Sequence, residues 1–181
     1  MNAKKQTRLK IPIDIQLRVL FRDGWLCRWC HRPTVFPLAL KYLAKFVSGR
    51  GYPYPIAYYD FRNRRDAAPM LDHLAAVIDH VNAYSQGGVH AESNFATACN
   101  KCNLRKNNRK MEDYQKEKPG KPVKGKYGEP LYWDGFVSLF LILVRENKAA
   151  LSASERKWYN AIETYLSQSE GKRDRLIFRI R

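Results

Sequence analysis

Apolar side chains recur at helical spacing along residues 13–21, and Asp23-Gly24 follows as a stop, so the pattern predicts a short helix leading to Cys27. A second helix is predicted over 37–47, with Leu38, Leu40, Leu43, Phe46 and Val47 on its buried face. The stretch 49–65 has no such period, because its prolines and glycines exclude a regular helix. From Ala75 to Val81 the chain is apolar and β-branched, as a strand is. Ser85-Gln-Gly-Gly88 then turns it, residues 94–98 supply a returning strand, and the Lys-, Arg- and Asn-rich run from Cys99 reads as a helix. Residues 117–128 are rich in Pro, Gly and Lys without periodicity, which marks a linker or a mobile basic loop. Beyond them an apolar helix is expected over 133–147. Ser152-Ala-Ser-Glu155 has the form of a capping box that opens another helix carrying Trp158, Ile162, Tyr165 and Leu166, and the two are expected to form a helical hairpin. The tail 172–181 alternates charged and apolar side chains and fits either a strand or a basic arm.

Charge adds a partner to this picture. Lys and Arg number 33 against 17 Asp and Glu, and a formal net charge of +16 on 181 residues leaves strongly positive faces. Such faces attract polyanions before any specific contact forms, so nucleic acid is the expected partner. In that light the Tyr and Arg of 49–65 leave two readings: a strip that stacks on and pins a nucleic-acid strand, or an irregular loop whose tyrosines pack on the core. The basic N-terminus lacks the apolar region and cleavage site of a signal peptide. The longest apolar run, 136–144, is far short of the roughly 20 residues that span a bilayer. A soluble protein with no membrane partner is expected.

The four cysteines form two pairs, Cys27-x-x-Cys30 and Cys99-x-x-Cys102, with none left over. Two such pairs supply the ligand set of a closed, tetrahedral structural Zn²⁺ site, and thiols destined for metal imply a reducing, cytoplasmic setting. Trp25 and Trp29 flank the first pair and are expected to pack in the small core of that knuckle. His31 completes Cys-x-x-Cys-His, the haem-attachment form, but the second pair already accounts for the thiols.

Ile78-Asp79-His80-Val81, then Gly87-Gly88, Asn94 and Cys99-Asn-Lys-Cys102-Asn103-Leu-Arg-Lys106 together resemble the HNH endonuclease family in its Cys-rich, zinc-bound form. The resemblance covers roughly the middle two-thirds of the chain. It implies an α+β fold: a ββα-metal core stapled by the four-cysteine zinc site, with helical additions and the C-terminal helical hairpin. It further implies that His80 is the general base, that Asp79 and Asn103 ligate a catalytic Mg²⁺ or Mn²⁺, and that Asn94 holds the loop and orients His80. For Asp79 and His80 to act together the strand must end or bulge there, since neighbours on a strand face opposite ways. Arg105, Lys106, Arg109 and Lys110, on the metal-bearing helix, are expected to hold the flanking phosphates. A second Asp-His pair, Asp72-His73, fits the Gly-Gly spacing worse and reads as structural or DNA-contacting, and His90 as a residue that shapes the loop.

Three regions follow: a nuclease core over 1–118 with a basic arm and an insertion at about 33–71, a basic Pro/Gly linker or loop at 119–130, and a helical region with a basic tail at 131–181. Target recognition is expected in the insertion, through Arg62, Arg64 and Arg65. The expected activity is metal-dependent hydrolysis of phosphodiester bonds in DNA. Its rival is a non-catalytic, zinc-stabilised nucleic-acid-binding module. Charge and cysteines serve both, whereas Asp79, His80 and Asn103 at motif spacing serve only the enzyme. One such site cuts one strand, so duplex cleavage requires a homodimer or two successive nicks.

Overall fold

The computed structural model describes residues 9–48, 73–117, 124, 132–146 and 151–168. Helix α1 spans Ile13–Arg22, with Asp14 in its first turn and Arg22 in its last, each sign suited to the helix dipole. It ends as the sequence predicts. Gly24 and Trp25 both adopt left-handed backbone, with φ of +59° and +56°. Asp23 also ties the helix to the sheet, accepting the Thr97 amide at 2.7 Å, while Arg22 donates to the Phe95 carbonyl at 2.7 Å.

Helix α2 (Pro37–Ser48) begins with proline at the position where its missing N–H costs nothing. Of its expected buried face, Leu40 is buried, and the side chains of Leu43, Phe46 and Val47 lie outside the described residues. Strands β1 (Ala76–His80) and β2 (Phe95–Cys99) pair antiparallel, from Ala76 opposite Cys99 to His80 opposite Phe95. Helix α3 (Asn100–Lys106) follows β2 without a loop, with Cys99 as its N-cap, and packs on both strands. A short helix, α4 (Met111–Glu117), comes next.

The apolar helix expected over 133–147 starts late. Helix α5 occupies Val137–Glu146 because Gly135 and Phe136 both take left-handed backbone, at φ +66° and +65°. Asp134 caps the entry, its carboxylate accepting the amides of Phe136 at 3.0 Å and Ser138 at 3.1 Å. Helix α6 (Ala153–Ser167) has the predicted capping box: Ser152 and Glu155 satisfy one another's backbone N–H groups. Glu155 is fully buried and its other oxygen lies 3.4 Å from Lys41 on α2. The expected hairpin is not a pair of helices packed chiefly on each other. Helix α5 packs on α2 and α6 on α1, because those two helices carry the apolar faces they cover.

The main core joins Leu17, Leu20 and Phe21 of α1 to Phe140, Val144, Ile162 and Leu166 of the late helices. Residues 119–130 thus separate these helices in sequence and not in packing. Trp25 sits in this core and not in the knuckle, edge-on to Phe21 at 5.7 Å and Phe36 at 5.8 Å. Trp29 belongs to a second cluster with Cys27, Ala98, Cys99, Cys102 and Tyr114. No helix among the described residues is long and apolar enough to cross a membrane. Residues 49–72, the late linker apart from Lys124, and the tail 172–181 lie outside the described residues, so the readings placed on them stay expectations.

Gly135 lies hard against the main core. A Cβ there would overlap the Trp25 ring, and the left-handed φ strains any replacement further. Gly135→Ala is expected to destabilise the fold by about 2–4 kcal/mol, read as a lower denaturant midpoint with an unchanged slope.

Candidate active site

The four sulfurs of Cys27, Cys30, Cys99 and Cys102 all lie within 4.8 Å of one another. With Zn–S bonds of about 2.3 Å a tetrahedral site has sulfur–sulfur edges of about 3.8 Å. Cys30 and Cys99 stand 3.9 Å apart. The set is soft and closed, and it is compatible with a structural zinc ion. The knuckle is shaped by backbone: His31 donates its amide to Cys27 and Cys27 donates to Arg32, with His31 left-handed at φ +55°. At the other end, the Cys99 sulfur accepts the Cys102 amide at 3.4 Å. Hydrogen bonding, first with Cys102 and then with the other two sulfurs, holds the Cys30 thiol well below its usual range and pushes Cys27 well above it. The cluster thus favours a first thiolate and resists a last one until a cation arrives.

Strand β1 ends at His80, where the Val81 amide turns to the Asn94 carbonyl at 2.8 Å. The strand end borders one open cleft of about 350 Å³. Asp79, His80, Tyr84, Asn103 and Lys106 line it. Asn94 is buried in the loop. Its Oδ1 accepts the Asn82 amide at 2.9 Å, and its Nδ2 donates to the carbonyls of Asn82 at 2.9 Å and Val89 at 2.8 Å. Gly88 permits this closure, since a Cβ there would overlap the Asn82 carbonyl. His80, 3 % exposed, faces the other way from Asp79: its Nε2 lies 3.2 Å from Nδ1 of His90, and Phe95 meets its ring edge-on at 4.9 Å.

Asp79 is 4 % exposed and already engaged. The Trp29 indole donates to its Oδ2 at 2.9 Å, and the Lys106 ammonium lies 3.3 Å from Oδ1 and 3.2 Å from Oδ2. Burial pushes the carboxyl up, and Lys106, by charge and then by hydrogen bond, pulls it back. Lys106 is the main correction to the sequence reading. The phosphate contact expected of it does not fit a side chain 0 % exposed, which donates to the His80 carbonyl at 2.7 Å and lies over the Trp29 ring at 5.4 Å. A signal for this was present. Lys106 follows Cys102 by four residues and so shares its inward helical face. The Trp29 indole and the His90 ring had no comparable local signal, because both meet the site across loops.

The other cations divide. Arg105 and Lys110 are exposed. Arg109 is half-buried, donating to the Arg105 carbonyl at 2.6 Å and lying over the Tyr114 ring at 5.0 Å. Asn103 is half-buried on the cleft wall and His73 half-buried ahead of β1. Arg62, Arg64, Arg65 and Asp72 lie outside the described residues.

Residues 68–109 match the family model described as HNH endonuclease. The match takes in Asp79, His80, Asn94, Asn103 and the second Cys pair, and leaves the first Cys pair outside it. No curated protein and no solved structure matches the chain.

Lys106→Met leaves the Asp79 carboxylate buried without its cation, and a cost of roughly 3–5 kcal/mol is expected. The pH dependence has a definite sign. A carboxyl raised in the native state binds its proton more tightly there than in the unfolded chain, so its contribution to stability falls as pH rises through the native value. Removing Lys106 raises Asp79 further. The deficit of the mutant against wild type is therefore largest at neutral pH and narrows as pH is lowered, read by denaturation at each pH. For the sulfurs, metal analysis of the purified protein is expected to find about one zinc per chain, lost together with cooperative folding in Cys102→Ser.

Proposed function

The chain carries an HNH endonuclease domain at residues 68–109, and on that premise we propose that it is a metal-dependent endonuclease that hydrolyses phosphodiester bonds of DNA. The observation that carries this reading is the convergence of Asp79, His80 and Asn103 on one cleft, beside the four-cysteine cluster and inside the matched segment. The two strands and α3 then serve as the ββα-metal core.

His80 acts as general base. It takes a proton from the water whose oxygen bonds to phosphorus, the P–O3′ bond breaks, and the departing 3′ oxygen is protonated by solvent. Asn94 keeps the loop that flanks the base closed on itself. Asp79 and Asn103 are the residues that would hold the divalent ion. Trp29 donates to Oδ2 and Lys106 to Oδ1 of Asp79, so its carboxylate would offer the ion only the acceptor positions those donors leave. That donor set, a carboxylate and an amide oxygen, is hard and sparse, which suits a hydrated Mg²⁺ or Mn²⁺ better than zinc. When bound, the ion supplies charge stabilisation to the scissile phosphate and its leaving oxygen. Arg105 and Lys110, exposed beyond the cleft, hold flanking phosphates.

The test is conversion of supercoiled plasmid by wild type and His80→Ala with Mg²⁺, Mn²⁺ or EDTA, beside a DNA-binding assay at matched salt. Nicking or linearisation that needs the divalent ion, and that falls by about 10²–10⁴ in a folded, DNA-binding His80→Ala, is the expected result. Wild type that binds DNA and cuts nothing with either ion overturns the enzyme in favour of a zinc-stabilised binding module.

A further inference from the structure

We propose that Lys106 is the resident counter-cation of the Asp79 carboxylate, and that it leaves the cleft too poor in negative charge to take a divalent ion until a polynucleotide phosphate enters with it. The inference deepens the metal-dependent reading and rests on it. The Lys106 ammonium lies 3.3 Å from Oδ1 and 3.2 Å from Oδ2 of Asp79, and the Trp29 indole donates to Oδ2 at 2.9 Å. All three side chains are buried. The ammonium is held in place from two further sides, by the His80 carbonyl at 2.7 Å and by the face of the Trp29 ring at 5.4 Å.

The charge balance of the cleft is the deciding quantity. Among the described residues Asp79 is the one acid that lines it, and Lys106 the one lysine or arginine. Asn103, Asn107 and Asn108 add amides, which offer oxygen without charge. The affinity of an oxygen site for a hard divalent ion follows the number of charged ligands it supplies. Here the single carboxylate is matched by an ammonium in contact with it, so the pair offers an incoming cation no net attraction. Burial keeps salt and water from screening that ammonium. The chain as a whole, at a formal net charge of +16, also disfavours cations around it.

A phosphodiester supplies what the cleft lacks, since it brings a negative charge on hard oxygen donors. Ion and DNA therefore bind as a pair. By linkage, the factor by which DNA tightens the ion is the factor by which the ion tightens DNA. Between encounters with DNA the free protein carries no loaded ion.

Calorimetric titration with Mn²⁺ tests this without reference to cutting. All proteins carry His80→Ala, which keeps DNA intact and leaves the backbone carbonyl that Lys106 meets. Titrations are run on protein alone and on its complex with a short duplex, and the heats of duplex alone are subtracted. Expected for the free protein is a dissociation constant of about 1 mM or weaker, and for the complex one tighter by about tenfold or more. Lys106→Met and Lys106→Gln are each expected to tighten Mn²⁺ on the free protein by about tenfold or more and to shrink the effect of DNA. A merely structural lysine predicts the reverse, a site loosened by its loss. Trp29→Phe frees a position on Oδ2 and leaves the charge unchanged, so a shift of no more than about a few fold is expected. Free protein that binds Mn²⁺ at about 10 µM or tighter overturns the proposal. So does a DNA complex with no gain, or a folded Lys106 variant that binds no tighter than its parent. Should neither Lys106 variant fold, the titrations with and without DNA decide. If the ion binds with DNA as expected and the protein with His80 restored cuts nothing in Mn²⁺, the nuclease reading falls and the charge balance stands.

Discussion

Four sulfurs that must meet from two ends of a long loop set the terms for everything around them. Cys30 and Cys99 are 69 residues apart in the chain. Closing a flexible loop of that length costs roughly 4 kcal/mol in chain entropy, whereas a structural zinc in such a site contributes about 10–16 kcal/mol. A zinc ion bound there would close the loop with a wide margin. The meeting of the sulfurs sets placement: the knuckle lies on the end of β2 and the start of α3, and with it the Trp29 indole lies on Asp79.

Asp79 and Lys106 form the second constraint. An ion pair this deeply buried does little for net stability, because desolvation of both charges consumes most of the attraction. Its effect is on specificity of arrangement. The ammonium has a carboxylate, the His80 carbonyl and an aromatic face around it. Helix α3 can sit against β1 in one register only, since a slip would bury the charge without partners. The strand end that carries His80 is thereby fixed by Lys106.

Much of the architecture was legible in the chain. Helix α1, both strands, the order strand, loop, strand, helix, the thiol cluster and the Ser152 capping box follow from spacing and period, which are local signals. What escaped was set by backbone or by distance. Helix α5 begins late because Gly135 and Phe136 leave the helical region, and a phenylalanine there gives no warning in composition. The C-terminal helices read as partners of each other because they are neighbours in sequence, while the matching apolar faces lie on α1 and α2. Trp25 and Trp29 look alike beside the first Cys pair, and the left-handed turn at residues 24 and 25 sends one to the main core and leaves the other in the knuckle. Lys106 was misread because abundance of Lys and Arg invites a surface interpretation, although its helical phase placed it inward. His80, Asp79 and Asn103 were identified by resemblance, and the cleft they share is a property of the fold that spacing alone does not express.

The indole bond from Trp29 to Asp79 also defines how small a transplantable unit this site has. A graft of the contiguous stretch from β1 to α3 onto a foreign scaffold would carry His80, the loop clamp and Lys106, but only half of the sulfur cluster and none of the donor on Oδ2. The portable module has to begin at Cys27, far upstream of the segment by which the domain is recognised, and it consists of two pieces of chain that no single excision delivers.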